Sequence, residues 1–119
     1  IPTQRCERVL EDHLRPVLSL AISNNKLYSG SYDYNIKVWD LHTLQRIKTL
    51  TGHTDAVRAL CVADGRLFSG SYDGTVRVWD DSSLQSLNVL RGHTGPVRTL
   101  VACQGLIFSG AYDKTVRVW

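Results

Sequence analysis

One interval governs this chain. Trp39, Trp79 and Trp119 stand forty residues apart, and the same step separates His13, His53 and His93, Gly30, Gly70 and Gly110, and Asp33, Asp73 and Asp113. A fixed period of this size is the mark of stacked or radially arranged units, each too small to bury its own apolar face. The units run 1–40, 41–80 and 81–119 without insertion or deletion, so the sequence holds neither a linker nor a second domain.

Within a unit the local signals specify strands. "VRALCVA" (57–63) is a short apolar run, "RLFSGSY" (66–72) follows it, and Asp64-Gly65 between them is a two-residue hairpin signal. Asn24-Asn25 and Gln104-Gly105 occupy the same places in the other units. "TVRVW" (75–79) alternates and is β-branched, after a turn at Asp73-Gly74. "LQSLNVL" (84–90) is more polar, as an outer edge strand should be. No stretch carries a helical period with caps. The expectation is an all-β chain in which each unit is a four-stranded antiparallel meander.

Bulk properties narrow the function classes. The net charge of +3 over 119 residues is scattered, which leans weakly toward acidic partners and falls short of the dense basic face of a nucleic-acid binder. No apolar run approaches the roughly 20 residues of a membrane-spanning helix, and no membrane partner is expected. The three cysteines, Cys6, Cys61 and Cys103, have no metal-ligand spacing. Cys61 and Cys103 sit in apolar runs as expected buried filler, and an odd count without a framework points to a reducing compartment, the cytoplasm or alternatively the nucleus.

The stretch "GHTDAVRALCVADGRLFSGSYDGTVRVWD" resembles a WD40 repeat, with its Gly-His pair, its Ser-Gly-Ser-x-Asp segment and its closing Trp-Asp. The resemblance extends three times over the chain. Departures are small: Asp12-His13 replaces Gly-His, Ala111 stands where the other units have Ser31 and Ser71, and the chain stops at Trp119 without the aspartate that Asp40 and Asp80 provide. The resemblance implies one segment of a β-propeller, a ring of four-stranded blades.

Each unit also holds Ser, His and Asp, the ingredients of a nucleophilic triad. The WD40 resemblance assigns them instead to structural hydrogen-bonded chains, His13–Asp33–Ser29–Trp39, His53–Asp73–Ser69–Trp79 and His93–Asp113–Ser109–Trp119. The carboxylate is then expected to take both an imidazole N–H and a serine hydroxyl, since a partly buried carboxylate is tolerable only when hydrogen-bonded. A hydrolase needs one asymmetric site with an oxyanion hole, whereas this set comes in triplicate with a tryptophan each time. One histidine per unit, with His42 alone in a loop, offers no converging metal ligands. "SGSYDG" lacks the ending of a phosphate loop. No metal, cofactor or catalytic residue is expected.

The remaining candidates are surface residues. Resemblance to propellers that carry partners points to the residue before the tight-turn Asp, here Tyr32, Tyr72 and Tyr112, and to positions three and five after the His. Those hold Pro16 and Leu18, Ala56 and Arg58, and Pro96 and Arg98. Tyrosine and arginine dominate binding hot spots. The expected function is a protein–protein interaction scaffold holding a peptide or partner subunit, acidic or phosphorylated. The alternative is the substrate-recognition propeller of a multidomain enzyme, a RING-type ubiquitin ligase or a kinase. Lys37, Arg77 and Arg117 recur in the third strand and are expected to pair locally. "QRCERVL" (4–10) matches 44–50 and 84–90, so the chain is expected to open on an outer strand and to close its ring either through further blades of a longer chain or through homo-oligomerisation.

Overall fold

The hairpin signals set the geometry. In the computed structural model, which describes residues 5–119, both residues of each two-residue turn take positive φ: 46° and 59° at Asn24-Asn25, 51° and 73° at Asp64-Gly65, 49° and 79° at Gln104-Gly105. That is the turn whose twist matches antiparallel strands. Around these turns and their successors the chain forms β1 (Val17–Ser23), β2 (Lys26–Ser31), β3 (Ile36–Asp40) and β4 (Arg46–Leu50) as one sheet in sequential order. The second sheet holds β5 (Val57–Ala63), β6 (Arg66–Ser71), β7 (Val76–Asp80) and β8 (Ser86–Leu90). The third holds β9 (Val97–Cys103), β10 (Leu106–Ala111) and β11 (Val116–Val118) and has three strands. Residues 5–10 form no strand, against the expected outer strand at 4–10; β3 already has β2 and β4 on its two sides, so no free edge of that sheet's third strand is left for them. Residue 4 lies outside the described residues.

The core lies between sheets rather than within them. Tyr28, Ile36, Val38 and Leu50 of the first blade pack with Val57, Leu67, Trp79 and Leu84 of the second. Ala59, Phe68, Val76 and Val78 of the second pack with Val97, Leu100 and Ile107 of the third. The blades approach closely where glycine faces valine. A Cβ on Gly30 would fall 2.7 Å from Val57 Cγ1, and one on Gly70 2.7 Å from Val97 Cγ1. Contacts that close exclude any side chain at these two positions. The two outer flanks remain uncovered: Leu20 and Ile22 on β1, and Val116 and Val118 on β11, are exposed although their counterparts at the inner junctions are not. Cys103 is exposed on the same open side of β9, and Cys61 is half-buried, so the expected burial fails where no further blade covers the sheet.

The two junctions differ in chemistry. At the first, the Asp81 carboxylate, 1 % exposed, receives the Tyr28 hydroxyl, the Ser23 hydroxyl at 2.6 Å and the Asn24 amide at 3.0 Å. Lys26 Nζ donates to the Asp81 carbonyl at 2.7 Å. Burial raises the Asp81 carboxyl, but the Ser23 and Tyr28 donors and the nearby Lys26 charge leave it below the usual carboxylate range. Burial, with Asp81 beside it, pushes the Tyr28 phenol well up. At the second junction Phe68 stands in the place of Tyr28 and packs in the cluster with Val97, Leu100 and Ile107.

Candidate functional site

The repeated polar chain is present in every blade. Nδ1 of His13, His53 and His93 lies 2.8 Å from Oδ2 of Asp33, Asp73 and Asp113. Nε2 of each ring lies 2.7 Å from Oγ of Ser29, Ser69 and Ser109. The indole N–H of Trp39, Trp79 and Trp119 donates to that same Oγ at 3.0, 2.9 and 2.8 Å. The order is therefore Trp–Ser–His–Asp, which corrects the expected order in which the carboxylate stood between histidine and serine. Geometry explains the difference. Ser29 pairs with Lys37 inside the sheet, whereas Asp33 lies beyond the strand end, and only an imidazole with a nitrogen on each side spans the two.

A carboxylate only accepts and an indole only donates, so the network assigns the protons: indole N–H to serine oxygen, serine O–H to Nε2, and Nδ1–H to the carboxylate. The carboxylates take further bonds from backbone, and Asp73 and Asp113 also from the Thr75 and Thr115 hydroxyls at 2.6 Å. Leu14, Thr54 and Thr94 N–H donate at 3.1, 3.0 and 3.0 Å, and Asn35, Thr75 and Thr115 N–H at 3.0, 2.8 and 2.9 Å. Burial pushes the Asp33 and Asp73 carboxyls up, but the bonds from His13 and His53 and their neighbours outweigh it and hold both low. At Asp113 the Thr115 hydroxyl is the main cause, with His93, of the same lowering.

These distances are those of a nucleophilic triad, yet the serine is in the wrong place for one. Ser69 and Ser109 are 0 % exposed, and the indole N–H occupies the oxygen that would attack. A nucleophile needs open approach and an oxyanion hole beside it. The blade interior provides no approach. Among the described residues no cluster of His, Cys, Asp or Glu is arranged to hold a metal ion, and no helix is long and apolar enough to cross a membrane.

The other candidates gather at the tight-turn end of the blades. The Tyr32, Tyr72 and Tyr112 rings form a row, with centroids 6.1 Å apart and edge-on for the first pair and 6.3 Å apart and tilted for the second. Partial burial and the flanking Tyr32 and Tyr112 phenols raise the Tyr72 phenol above its ordinary value. Each tyrosine N–H donates to the residue three after the histidine, Pro16, Ala56 or Pro96, at 3.1, 3.0 and 2.9 Å. Pro16 is exposed, Pro96 half-buried, and Ala56 fully buried, so only the prolines offer surface. Ser31 Oγ donates to the Pro16 carbonyl at 2.9 Å and Ser71 Oγ to the Asp55 carbonyl at 3.1 Å; Ala111 leaves the third blade without that strap.

Leu18, Arg58 and Arg98 share a feature that the sequence concealed. Strand pairing skips each of them: it passes from Val17↔Ser31 to Ser19↔Gly30, from Val57↔Ser71 to Ala59↔Gly70, and from Ala111↔Val97 to Gly110↔Thr99. All three are β-bulge residues, half-buried, at the end of the innermost strand. A bulge frees a side chain from the alternation of its strand and re-aims it. A second hidden feature is Tyr34, exposed and held at φ 75°, where the equivalent Gly74 has φ 86°. The Asp81–Tyr28 junction was a third, although Leu41 and Phe68 at the matching positions signal the double change to polar residues.

Lys37 does pair locally, with its Nζ 3.1 Å from Thr49 Oγ1 and 3.6 Å from Asp12 Oδ2; Asp12 also lies 2.8 Å from Arg46. In the other blades an arginine packs over the glycine of Gly-His, so close that a Cβ on Gly52 would fall 2.9 Å from Arg77 and one on Gly92 3.0 Å from Arg117. The Asp12 departure is thus matched by Lys37 in place of arginine. At the opposite end, Asp40 and Asp80 cap the backbone of His42-Thr43 and Ser82-Ser83 and leave no comparable row of rings.

The family model described as "WD domain, G-beta repeat" matches residues 4–40, 44–80 and 84–119. The zinc finger CCCH domain-containing protein 62 of Arabidopsis thaliana is 54 % identical over 41 residues, covering 34 % of this chain and 10 % of that protein. The probable E3 ubiquitin ligase complex SCF subunit sconB of Talaromyces stipitatus is 42 % identical over 48 residues, covering 40 % and 7 %. Among solved structures, U3-55K superposes with a TM-score of 0.85 at 34 % identity over 92 % of this chain and 35 % of that one. The RRP9 WD40 repeats superpose with a TM-score of 0.81 at 35 % identity, covering 87 % and 33 %. The chain thus spans a tenth or less of these curated relatives and about a third of these solved structures. Three matched units, blade-by-blade sheets and the superpositions lead to one conclusion: this chain belongs to the WD40 family, as three consecutive repeats of a β-propeller.

Proposed function

We propose that the chain is part of a protein-interaction scaffold whose partner lies across the tight-turn end of the blades. The observation that carries this reading is the Tyr32–Tyr72–Tyr112 row, aromatic surface spread over three blades with bulged Arg58 and Arg98 at the same strand ends. Tyrosine gives broad contact at small entropic cost, and arginine a fork for carboxylate or phosphate. An acidic or phosphorylated segment suits that mixture. The buried Trp–Ser–His–Asp chains hold each blade in shape and do no chemistry. The free cysteines favour a cytoplasmic or nuclear setting.

The test uses the full-length protein and a partner that co-purifies with it. Arg58→Ala with Arg98→Ala weakens binding by about 2 kcal/mol or more, in a salt-sensitive manner, while the melting temperature stays level. Retained binding after loss of both arginines and all three tyrosines would place the partner elsewhere. A second reading, the substrate-recognition propeller of a RING-type ligase or kinase, is favoured by relatives named as SCF subunits and as the F-box/WD-40 repeat-containing protein At5g21040 of Arabidopsis thaliana. A RING, F-box or kinase domain on the parent chain would decide for it.

A further inference from the structure

We infer that the tyrosine-bearing face is polarised, apolar over the first blade and basic over the third, so that it takes an extended acidic segment in one direction only. The inference rests on reading that face as the partner site. The three blades share the tyrosine, but around it the first blade departs from the other two, and all three differ in the tight turn. Beside the histidine stand Leu14, Thr54 and Thr94; at the bulge Leu18, Arg58 and Arg98; in the tight turn Tyr34, Gly74 and Lys114. Leu14 is 92 % exposed, and Tyr34 is exposed too.

Neither residue has a folding reason to be there. Leu14 gives the Asp33 carboxylate only its backbone N–H, which Thr54 and Thr94 supply equally well. Tyr34, like Lys114 in the third blade, holds a left-handed φ (75° and 70°) that glycine, present as Gly74 in the second blade, adopts freely and a large side chain resists. An exposed aromatic kept at a strained position is better accounted for by what it touches from outside. Together with Tyr32, these two side chains make an apolar corner on the first blade.

The charge runs the other way. Arg58, Arg98 and Lys114 lie on the second and third blades. The acids near them are engaged: Asp33, Asp73 and Asp113 by the histidines, and Asp55 by the Ala56 N–H at 2.7 Å. On the first blade Arg15, beside Pro16, is an exposed cation. It extends the basic character there but does not remove the apolar corner. From Tyr32 to Tyr112 the two ring steps of 6.1 and 6.3 Å span at most roughly four residues of extended chain at about 3.3 Å each. The ligand class is therefore a segment with one apolar side chain and one carboxylate up to about four residues apart.

The full-length protein is panned against a phage-displayed library of random peptides. Selected peptides should share an apolar residue and an Asp or Glu at that spacing and in one order. Leu14→Thr with Tyr34→Gly should abolish the apolar preference, weakening the selected peptides about tenfold while the acidic preference stays; Arg98→Leu with Lys114→Gly should do the converse. Each substitution borrows the residue of a sister blade, so the fold is retained. Peptides of both orders in equal number, or two variant pairs that weaken all peptides alike without changing either preference, overturn the polarity while leaving the face as the site. Peptides indifferent to Tyr72→Ala, or no selected peptide, sink the reading of the face itself, and the polarity with it.

Discussion

The hydroxyl of Tyr28 donates to the carboxylate of Asp81, fifty-three residues further on and in the next blade. A repeat array built from interchangeable units gains nothing in stability from a buried charge that apolar neighbours could replace. Tyr28→Phe and Asp81→Leu each leave a buried polar partner unmatched and should each cost about 1–3 kcal/mol. The double variant restores the residue types found at the matching positions, Phe68 and Leu41, and should recover much of that loss. Urea titrations of the four proteins measure it. Strictly additive losses would show that the two side chains act independently.

The Trp–Ser–His–Asp chain should behave as structure under mutation. His53→Ala and Asp73→Asn each orphan buried groups and should lower stability by about 1–3 kcal/mol. Trp79→Phe keeps most of the apolar bulk and loses one donor, so it should cost less. An esterase or peptidase turnover abolished by Ser69→Ala in a folded protein would contradict this account.

Acid should destabilise the protein in a definite window. Asp33, Asp73 and Asp81 all lie below the ordinary carboxylate value in the folded state. Their contribution is therefore complete above the unfolded value of about 3.9 and is lost as pH falls through the lower folded values. Denaturant midpoints measured down the pH scale should stay level near neutrality and drop below about pH 4. The Tyr28→Phe, Asp81→Leu double variant should show a shallower drop. A midpoint that rises on acidification would reverse the sign of the argument.

The uncovered flanks bear on the 119-residue chain studied alone. Leu20 and Ile22 on β1 and Val116 and Val118 on β11 are the counterparts of residues that the neighbouring blade shelters at the inner junctions. Unpaired apolar faces of this kind favour association. Sedimentation should find oligomers or aggregates, and Leu20→Lys with Val118→Lys should reduce them. A cooperatively melting monomer of the unaltered chain would refute the expectation.

What the sequence announced, it announced through repetition. The forty-residue step located every Trp, His, Ser and Asp of the polar chains, and the two-residue turns located the hairpins. The order of the hydrogen bonds was not legible, because spacing does not reveal that Ser29 lies inside the sheet while Asp33 lies past its end. Departures from the repeat were harder still. Tyr28 and Asp81 are far apart in sequence and become partners only when blades face one another. The burial expected of Cys103 failed because a residue's environment here depends on the next blade. The bulges at Leu18, Arg58 and Arg98 follow from pairing registers that no residue type advertises.

Those bulges separate two kinds of evolutionary freedom. A residue that strand pairing skips can change from Leu18 to Arg58 without altering the ladder beside it. Duplication can then copy the scaffold faithfully while each copy keeps one address that drifts independently. Redesign has the same opening: three positions, one per blade, at which recognition can be rewritten with little risk to the architecture beneath.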